Sequence, residues 1–127
     1  MSHNPHHEHI IKELTEMLEP VFSHCPQGVY LYLDDEHKNC NKKFAAMLGY
    51  KSPQEWVDNL YPVDDLDKTD QAKGIKAYMD ASQKYKSSTL PATWVRKDGK
   101  KVKTTVTMVP ISYKDEVFVL HFISPKK

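Results

Sequence analysis

Leu90-Pro91-Ala92-Thr93-Trp94-Val95-Arg96, Lys97-Asp98-Gly99-Lys100, and then Val102, Thr104, Val106 and Met108 at every second position: this stretch decides the architecture. A period of two places alternate side chains on opposite faces of an extended chain, the pattern of a half-buried strand. Asp98-Gly99 between the two runs is a hairpin turn, because both residue types tolerate positive φ. Beyond a loop expected over Pro110 to Asp115, the apolar run from Val117 to Ile123 supplies one more strand. Parallel neighbours need a crossover of about a dozen residues or more, so these three strands form an antiparallel meander.

Upstream the periodicity changes. From about Asp70 to Tyr85 the residues Ala72, Ile75 and Met79 fall on one helical face with Tyr78 beside them, and the opening carboxylates suit the positive end of a helix dipole. The acidic Asp64-Asp65-Leu66-Asp67 is a connection. Ser52-Pro53-Gln54-Glu55 starts a short helix: serine caps, proline fits the first turn, and glutamate completes a capping box, with Trp56 and Val57 as its buried side chains. Asn41 caps another helix that buries Phe44, Met47 and Leu48 and stops at Gly49. Before it lie two strands, Gly28 to Leu33 and about His37 to Cys40, joined by Asp34-Asp35-Glu36. At the N-terminal end, residues 1–8 read as a mobile histidine-rich tail. Residues 9–26 hold an amphipathic helix, about His9 to Val21, closed by Pro20 and Pro26. Its apolar residues Ile10, Ile11, Leu14, Met17, Leu18 and Val21 must cover either the chain's own sheet or a second copy. The reading is α+β: a five-stranded antiparallel sheet with helices packed on one face, plus the N-terminal helix.

Several motifs then resemble one family in order and spacing. Asn41-Lys42-Lys43-Phe44-Ala45-Ala46-Met47-Leu48-Gly49-Tyr50 is similar to the Asn-x-x-Phe-x-x-x-Leu-Gly-Tyr helix of PAS domains. Ser52-Pro53-Gln54-Glu55-Trp56 resembles the Ser-x-Glu-Glu segment after it, Tyr61-Pro62-Val63-Asp64-Asp65 sits where that family often has His-Pro-x-Asp, and Arg96-Lys97-Asp98-Gly99-Lys100 resembles its Arg-x-Lys-Asp-Gly-Ser hairpin. The resemblance covers residues 27–124. It departs in the first hairpin, which lacks a glycine, and at Phe122-Ile123-Ser124-Pro125, which lacks the Asp-Ile-Thr trio that leads into a downstream signalling helix.

The resemblance implies a sensory or protein-interaction module in signal transduction, with a cavity between sheet and helices that can hold a small ligand. Leu31, Phe44, Met47, Leu48, Trp56, Ile75, Tyr78, Met79, Trp94 and His121 are its expected lining. Against this stands plain packing, the commoner use of methionine and aromatic stripes. Haem is disfavoured because the long helix carries no histidine and none occurs between His37 and His121. A flavin-adduct cysteine is disfavoured because Asn39-Cys40 precedes the Asn41 helix instead of following it. A homodimer through Ile10, Leu14, Met17, Leu18 and Val21 is the expected partner arrangement, with a signalling protein as a further partner.

Other chemistry finds no footing. His3, His6, His7 and His9 could ligate Zn²⁺, Ni²⁺ or Cu²⁺, but a mobile tail has no preorganised geometry, and no metal site is assigned. Asp65-x-Asp67-x-Thr69-Asp70 lacks the glycine and glutamate of a calcium loop. Glycine occurs only at 28, 49, 74 and 99, which rules out phosphate-cradling loops, and no catalytic residue is identified. Eighteen basic and seventeen acidic residues leave a net charge of +1, and Arg96 is the only arginine, so neither nucleic acid nor a membrane surface is an expected partner. Two separated cysteines and no long apolar run fit a reducing cytoplasm. The competing class is a cone-shaped α+β enzyme or binder of the steroid-isomerase type, which needs a buried carboxylate and an oxyanion donor converging in the cavity.

Overall fold

The computed structural model describes residues 5–126, in the order α1 (Pro5–Met17), α2 (Glu19–His24), β1 (Gly28–Asp34), β2 (His37–Cys40), α3 (Lys42–Met47), α4 (Pro53–Val57), a 3-10 turn (Pro62–Asp65), α5 (Lys68–Lys84), β3 (Ser88–Val95), β4 (Lys101–Tyr113) and β5 (Glu116–Pro125). The sheet has the strand order β2-β1-β5-β4-β3, antiparallel throughout. The N- and C-terminal strands are thus neighbours at its centre, and β2 and β3 are its edges. Pro91 stands in β3, where an edge strand can spare a donor.

β4 corrects the expected loop over Pro110 to Asp115. The strand continues through Pro110, which lies past the last β3 partner at Met108 and pairs only with Val119 on β5. The turn is just Lys114-Asp115, both at positive φ (48° and 67°), as a two-residue primed hairpin turn requires.

Each strand of the central pair serves two cores. Tyr30 and Val119 join Phe44, Leu48, Trp56, Trp94, Val106, Met108 and Ile123 under α3–α5. Val29, Leu31, Leu33, Phe118 and Leu120, in the opposite phase, pack with Ile10 and Leu14 of α1. The N-terminal helix therefore covers the face of its own sheet that α3–α5 leave bare. This corrects the interface expectation for Ile10 and Leu14, which are 0% and 2% exposed within one chain. Leu18 and Val21 are partly buried against the same cluster, while Met17 faces outward at 61% exposure.

The N-terminal boundaries also shift. Of the expected mobile tail, residues 1–4 lie outside the described residues, but residues 5–8 are helical: Pro5 fits the first turn, and His7 reaches across to Asp34 and Glu116. Pro20 does not end the helical segment. It occupies the first turn of α2, where its missing N–H costs no bond, and α2 runs on to His24.

The cap assignments hold in atomic detail. The Asn41 side-chain oxygen accepts from Phe44 N at 2.9 Å and from Val29 N at 3.0 Å, while its amide donates to the Gln27 carbonyl, so one buried residue fixes both α3 and the start of β1. Ser52 accepts from Glu55 N at 3.2 Å, and Glu55 reaches back to Lys51 N. Gly49 takes φ +84°, the left-handed stop. On α5 the buried face is Gly74, Tyr78 and Ala81, not Ala72, Ile75 and Met79. The helix lies so close at Gly74 that an added Cβ would sit 2.9 Å from Leu66 Cδ1.

Candidate functional site

A cavity of about 120 Å³ lies between the sheet and the α4–α5 layer. Its floor comes from the phase of each strand that points toward α5: Tyr30 and Tyr32 from β1, His121 from β5, Met108 from β4 and Trp94 from β3. Trp56 of α4 walls one side. Pro62, Val63 and Leu66 close another, and Gly74, Ile75 and Tyr78 of α5 form the roof. The connection after the 3-10 turn is pinned at that end, since Asp67 N donates to the Thr93 carbonyl (2.9 Å) and Thr93 N to the Asp70 carboxylate (2.6 Å).

Aromatic rings set the shape. The Tyr30 and His121 rings stack at 3.9 Å with an interplanar angle of 13°, and Tyr30 also meets Phe44 and Trp56 at 4.8 and 5.2 Å. Tyr32 meets Tyr78 edge-on at 5.0 Å across the roof. Trp94 is locked by its Nε1–H, which donates to Thr104 Oγ1 at 3.0 Å, and Thr104 in turn donates to the Ala92 carbonyl. Trp56 differs. Its buried Nε1 donor has no hydrogen-bond partner among the described residues, an arrangement that costs desolvation without return.

The imidazole and phenol groups of the lining are kept neutral. Burial pushes His121 down to about 3, and its Nδ1–H donates to the Val119 carbonyl at 3.2 Å. Burial raises the Tyr30 hydroxyl, and takes that of Tyr78 up to about 12, with Asp34 and Asp35 adding to the latter. Burial also lifts the Cys40 thiol to about 12, so it carries almost no thiolate at neutral pH. Asp35 sits at the mouth and accepts from Tyr32. Asp65, raised by burial, is engaged by Tyr50 and Asn59 and lies outside the lining. Beside the cavity Lys38 is nearly enclosed, with its ammonium donating to the Val57 carbonyl at 2.8 Å and lying 5.4 Å from the Trp56 ring centre.

Of the expected lining residues, Trp56, Ile75, Tyr78, Trp94 and His121 are brought together around the cavity. Phe44 and Leu48 are fully buried in the core beside it, and Met47 packs at its edge. Leu31 belongs to the other face of the sheet, against α1, and Met79 points outward at 44% exposure. Tyr30, Tyr32, Val63, Leu66, Gly74 and Met108 escaped the sequence reading. In Val29-Tyr30-Leu31-Tyr32-Leu33 both phases are apolar, so alternation alone does not tell which one faces the helices.

The family model described as PAS domain matches residues 16–79, half of the chain. The chain belongs to the PAS domain family. PAS domains are modules of sensing and signalling that commonly mediate dimerisation and partner contacts. Similar solved structures include the PAS domain of a protein from Colwellia psychrerythraea (18% identity, TM-score 0.70, covering 90% of this chain and 97% of that one). The PAS domain of an HTR-like protein from Haloarcula marismortui is alike over nearly everything (18% identity, TM-score 0.67, covering 97% and 100%). The Drosophila melanogaster Cycle PAS-B domain with bound ethylene glycol aligns at 12% identity and a TM-score of 0.66, covering 78% and 99%. At these identities the likeness shows a shared fold. No curated protein matches the chain in sequence. None of the described helices is long and apolar enough to cross a membrane.

Proposed function

We propose that this PAS domain is a cytoplasmic, non-catalytic sensory module whose cavity takes a neutral ligand the size of one aromatic ring carrying a hydrogen-bond acceptor. The carrying observation is the pairing of an aromatic-lined space of about 120 Å³ with the partnerless Nε1 donor of buried Trp56. An engineered apolar cavity of about 150 Å³ holds benzene, whereas drug-sized molecules need about 300 Å³ or more. The fused rings of a flavin and the macrocycle of a haem both exceed the space. The neutral state of His121, Tyr30 and Tyr78 favours an uncharged ligand. A small organic molecule, ethylene glycol, is bound in the Cycle PAS-B structure of the same fold. Two free cysteines accord with a reducing compartment.

The expected output partner is a second copy or a signalling protein docking on the outward side of α1, where Met17 is exposed. Ile10 and Leu14 are spent on the sheet and take no part. Met17→Lys should weaken self-association in sedimentation experiments; an unchanged association constant removes α1 from the interface. The steroid-isomerase alternative has less support, since the one carboxylate of the lining, Asp35, is exposed at the mouth and engaged by the Tyr32 hydroxyl, whereas that chemistry needs a buried one.

Phenol and toluene differ by one oxygen and test the ligand reading. Phenol should quench Trp56 and Trp94 emission saturably, with a Kd of about 0.1–1 mM (about 4–5.5 kcal/mol), and toluene should bind more weakly. Val63→Phe should fill the space and abolish both. Absence of saturable binding by either probe would overturn the proposal, as would equal binding to the Val63→Phe variant.

A further inference from the structure

We infer that His7, Asp34 and His37 form a site for a divalent transition-metal ion, Zn²⁺ in first place, that fastens the N-terminal helix to the β1–β2 hairpin, with Glu116 orienting His7. The three come from separate elements: the first turn of α1, the end of β1 and the start of β2. One ligating atom from each lies within 4.8 Å of the others. His7 Nδ1 is 2.6 Å from Asp34 Oδ2, and His37 Nδ1 is 2.8 and 3.0 Å from the two Asp34 oxygens. Donors around a tetrahedral Zn²⁺ with bonds of about 2.0–2.1 Å stand about 3.3 Å apart, so the carboxylate must move away by about 0.7 Å from the His7 imidazole and by about 0.3–0.5 Å from that of His37.

The surroundings are those of a built site. Asp34 Oδ1 is held by the backbone N–H groups of Glu36 (2.9 Å) and His37 (2.8 Å), which fixes the carboxylate and turns Oδ2 toward His7. Glu116 Oε1 lies 2.7 Å from His7 Nε2. A carboxylate there accepts from Nε2–H, so that an ion displacing the Nδ1 proton now shared with Asp34 meets a lone pair facing Asp34 and His37, the outer-shell arrangement that orients metal-bound histidines. The His7 and His37 side chains are 18% and 8% exposed, sheltered yet within reach of an ion from solution. Two imidazoles and one carboxylate suit Zn²⁺, Cu²⁺ or Ni²⁺ and not Mg²⁺ or Ca²⁺; a water completes four-coordination. His9, in contrast, turns away and pairs with Glu13 at 3.2 Å.

Because one ligand sits on α1 and two on the hairpin, the ion joins a helix to the sheet it covers. Its loading would set how firmly that helix is docked. The polar triad already holds the parts in place, so the ion adds to an existing latch.

Calorimetric titration of the full chain with Zn²⁺ alone should give one site of micromolar or tighter Kd, with no heat from Mg²⁺. Co²⁺ in its place should show the intense visible d–d bands of a four-coordinate ion. His37→Ala and His7→Ala should each weaken Zn²⁺ at least about a hundredfold, and Glu116→Gln about tenfold or more. His9→Ala should leave the affinity unchanged. His7→Ala sits on a helix that tolerates alanine, so it decides the matter if His37→Ala unfolds. Wild-type affinity in His7→Ala or in a folded His37→Ala would overturn the assignment. So would loss of binding in His9→Ala, which would mean that the histidine-rich end alone holds the ion.

Discussion

Acid should weaken this protein through the buried imidazole of His121. His121 is 2% exposed, stacked on Tyr30 and hydrogen-bonded from Nδ1 to the Val119 carbonyl; burial holds its folded value at about 3, against about 6.5 in the unfolded chain. The sign follows from proton counting. Below pH of about 6.5 the unfolded chain binds a proton that the folded chain refuses, so stability falls as the pH drops and is flat above that point. Integrating from about pH 7.5 to about pH 5 gives a loss near 2 kcal/mol. His121→Phe keeps the ring stack and removes the titration. Its own cost, mainly the lost Val119 bond, is about 1 kcal/mol and independent of pH. His7 works in the opposite sense: partial burial disfavours its charge, but its hydrogen bonds to the Asp34 and Glu116 carboxylates outweigh that and raise its value. It is common to both proteins and cancels in the difference. Urea unfolding, followed by the emission of Trp56 and Trp94, measures both proteins at both pH values. The wild type should lose about 2 kcal/mol more than the variant on acidification. Parallel losses, differing by less than about 0.5 kcal/mol, would refute the claim that His121 stays neutral because it is enclosed.

Asn41→Ala removes the α3 cap and strands the buried Val29 N–H, and should cost about 2–4 kcal/mol in the urea transition. Leu14→Ala should cost about 3 kcal/mol and leave the sedimentation coefficient as it was, because Leu14 fills the chain's own core. Gly74→Ala gains about 1 kcal/mol of helix propensity against displacement of the flexible end of Leu66. Its stability should therefore stay within about 1 kcal/mol, while phenol binding weakens at least tenfold as the roof closes.

The five strands, the two capped short helices and the long helix were legible because each rests on local chemistry. Asn41 and Ser52 cap whatever their surroundings, and period-two patterning survives in β3 and β4 because one phase is polar. What failed to be legible depends on distant partners. Lys114-Asp115 forms a primed turn without glycine, an outcome imposed by the pairing of β4 with β5 and not by its own sequence. The buried face of α5 is hidden from the pattern because glycine scores as nothing in it, yet Gly74 is what lets the helix approach Leu66. Leu31 reads as a cavity residue because β1 is apolar on both sides. His7 reads as part of a tail because its partners, Asp34 and Glu116, lie 27 and 109 residues away.

β1 and β5 are pressed from above and below, and this has a mechanical result. Tyr30 pairs with His121, and the very next pair, Leu31 with Leu120, points the other way against the underside helix. Close-packed interiors give little, so a guest that pries the Tyr30–His121 stack apart must also shift its neighbours one residue along. With its fulcrum in the backbone, the central ribbon would then act as a lever: pressure from a guest in the cavity would emerge as displacement beneath Leu14, on the other face of the sheet.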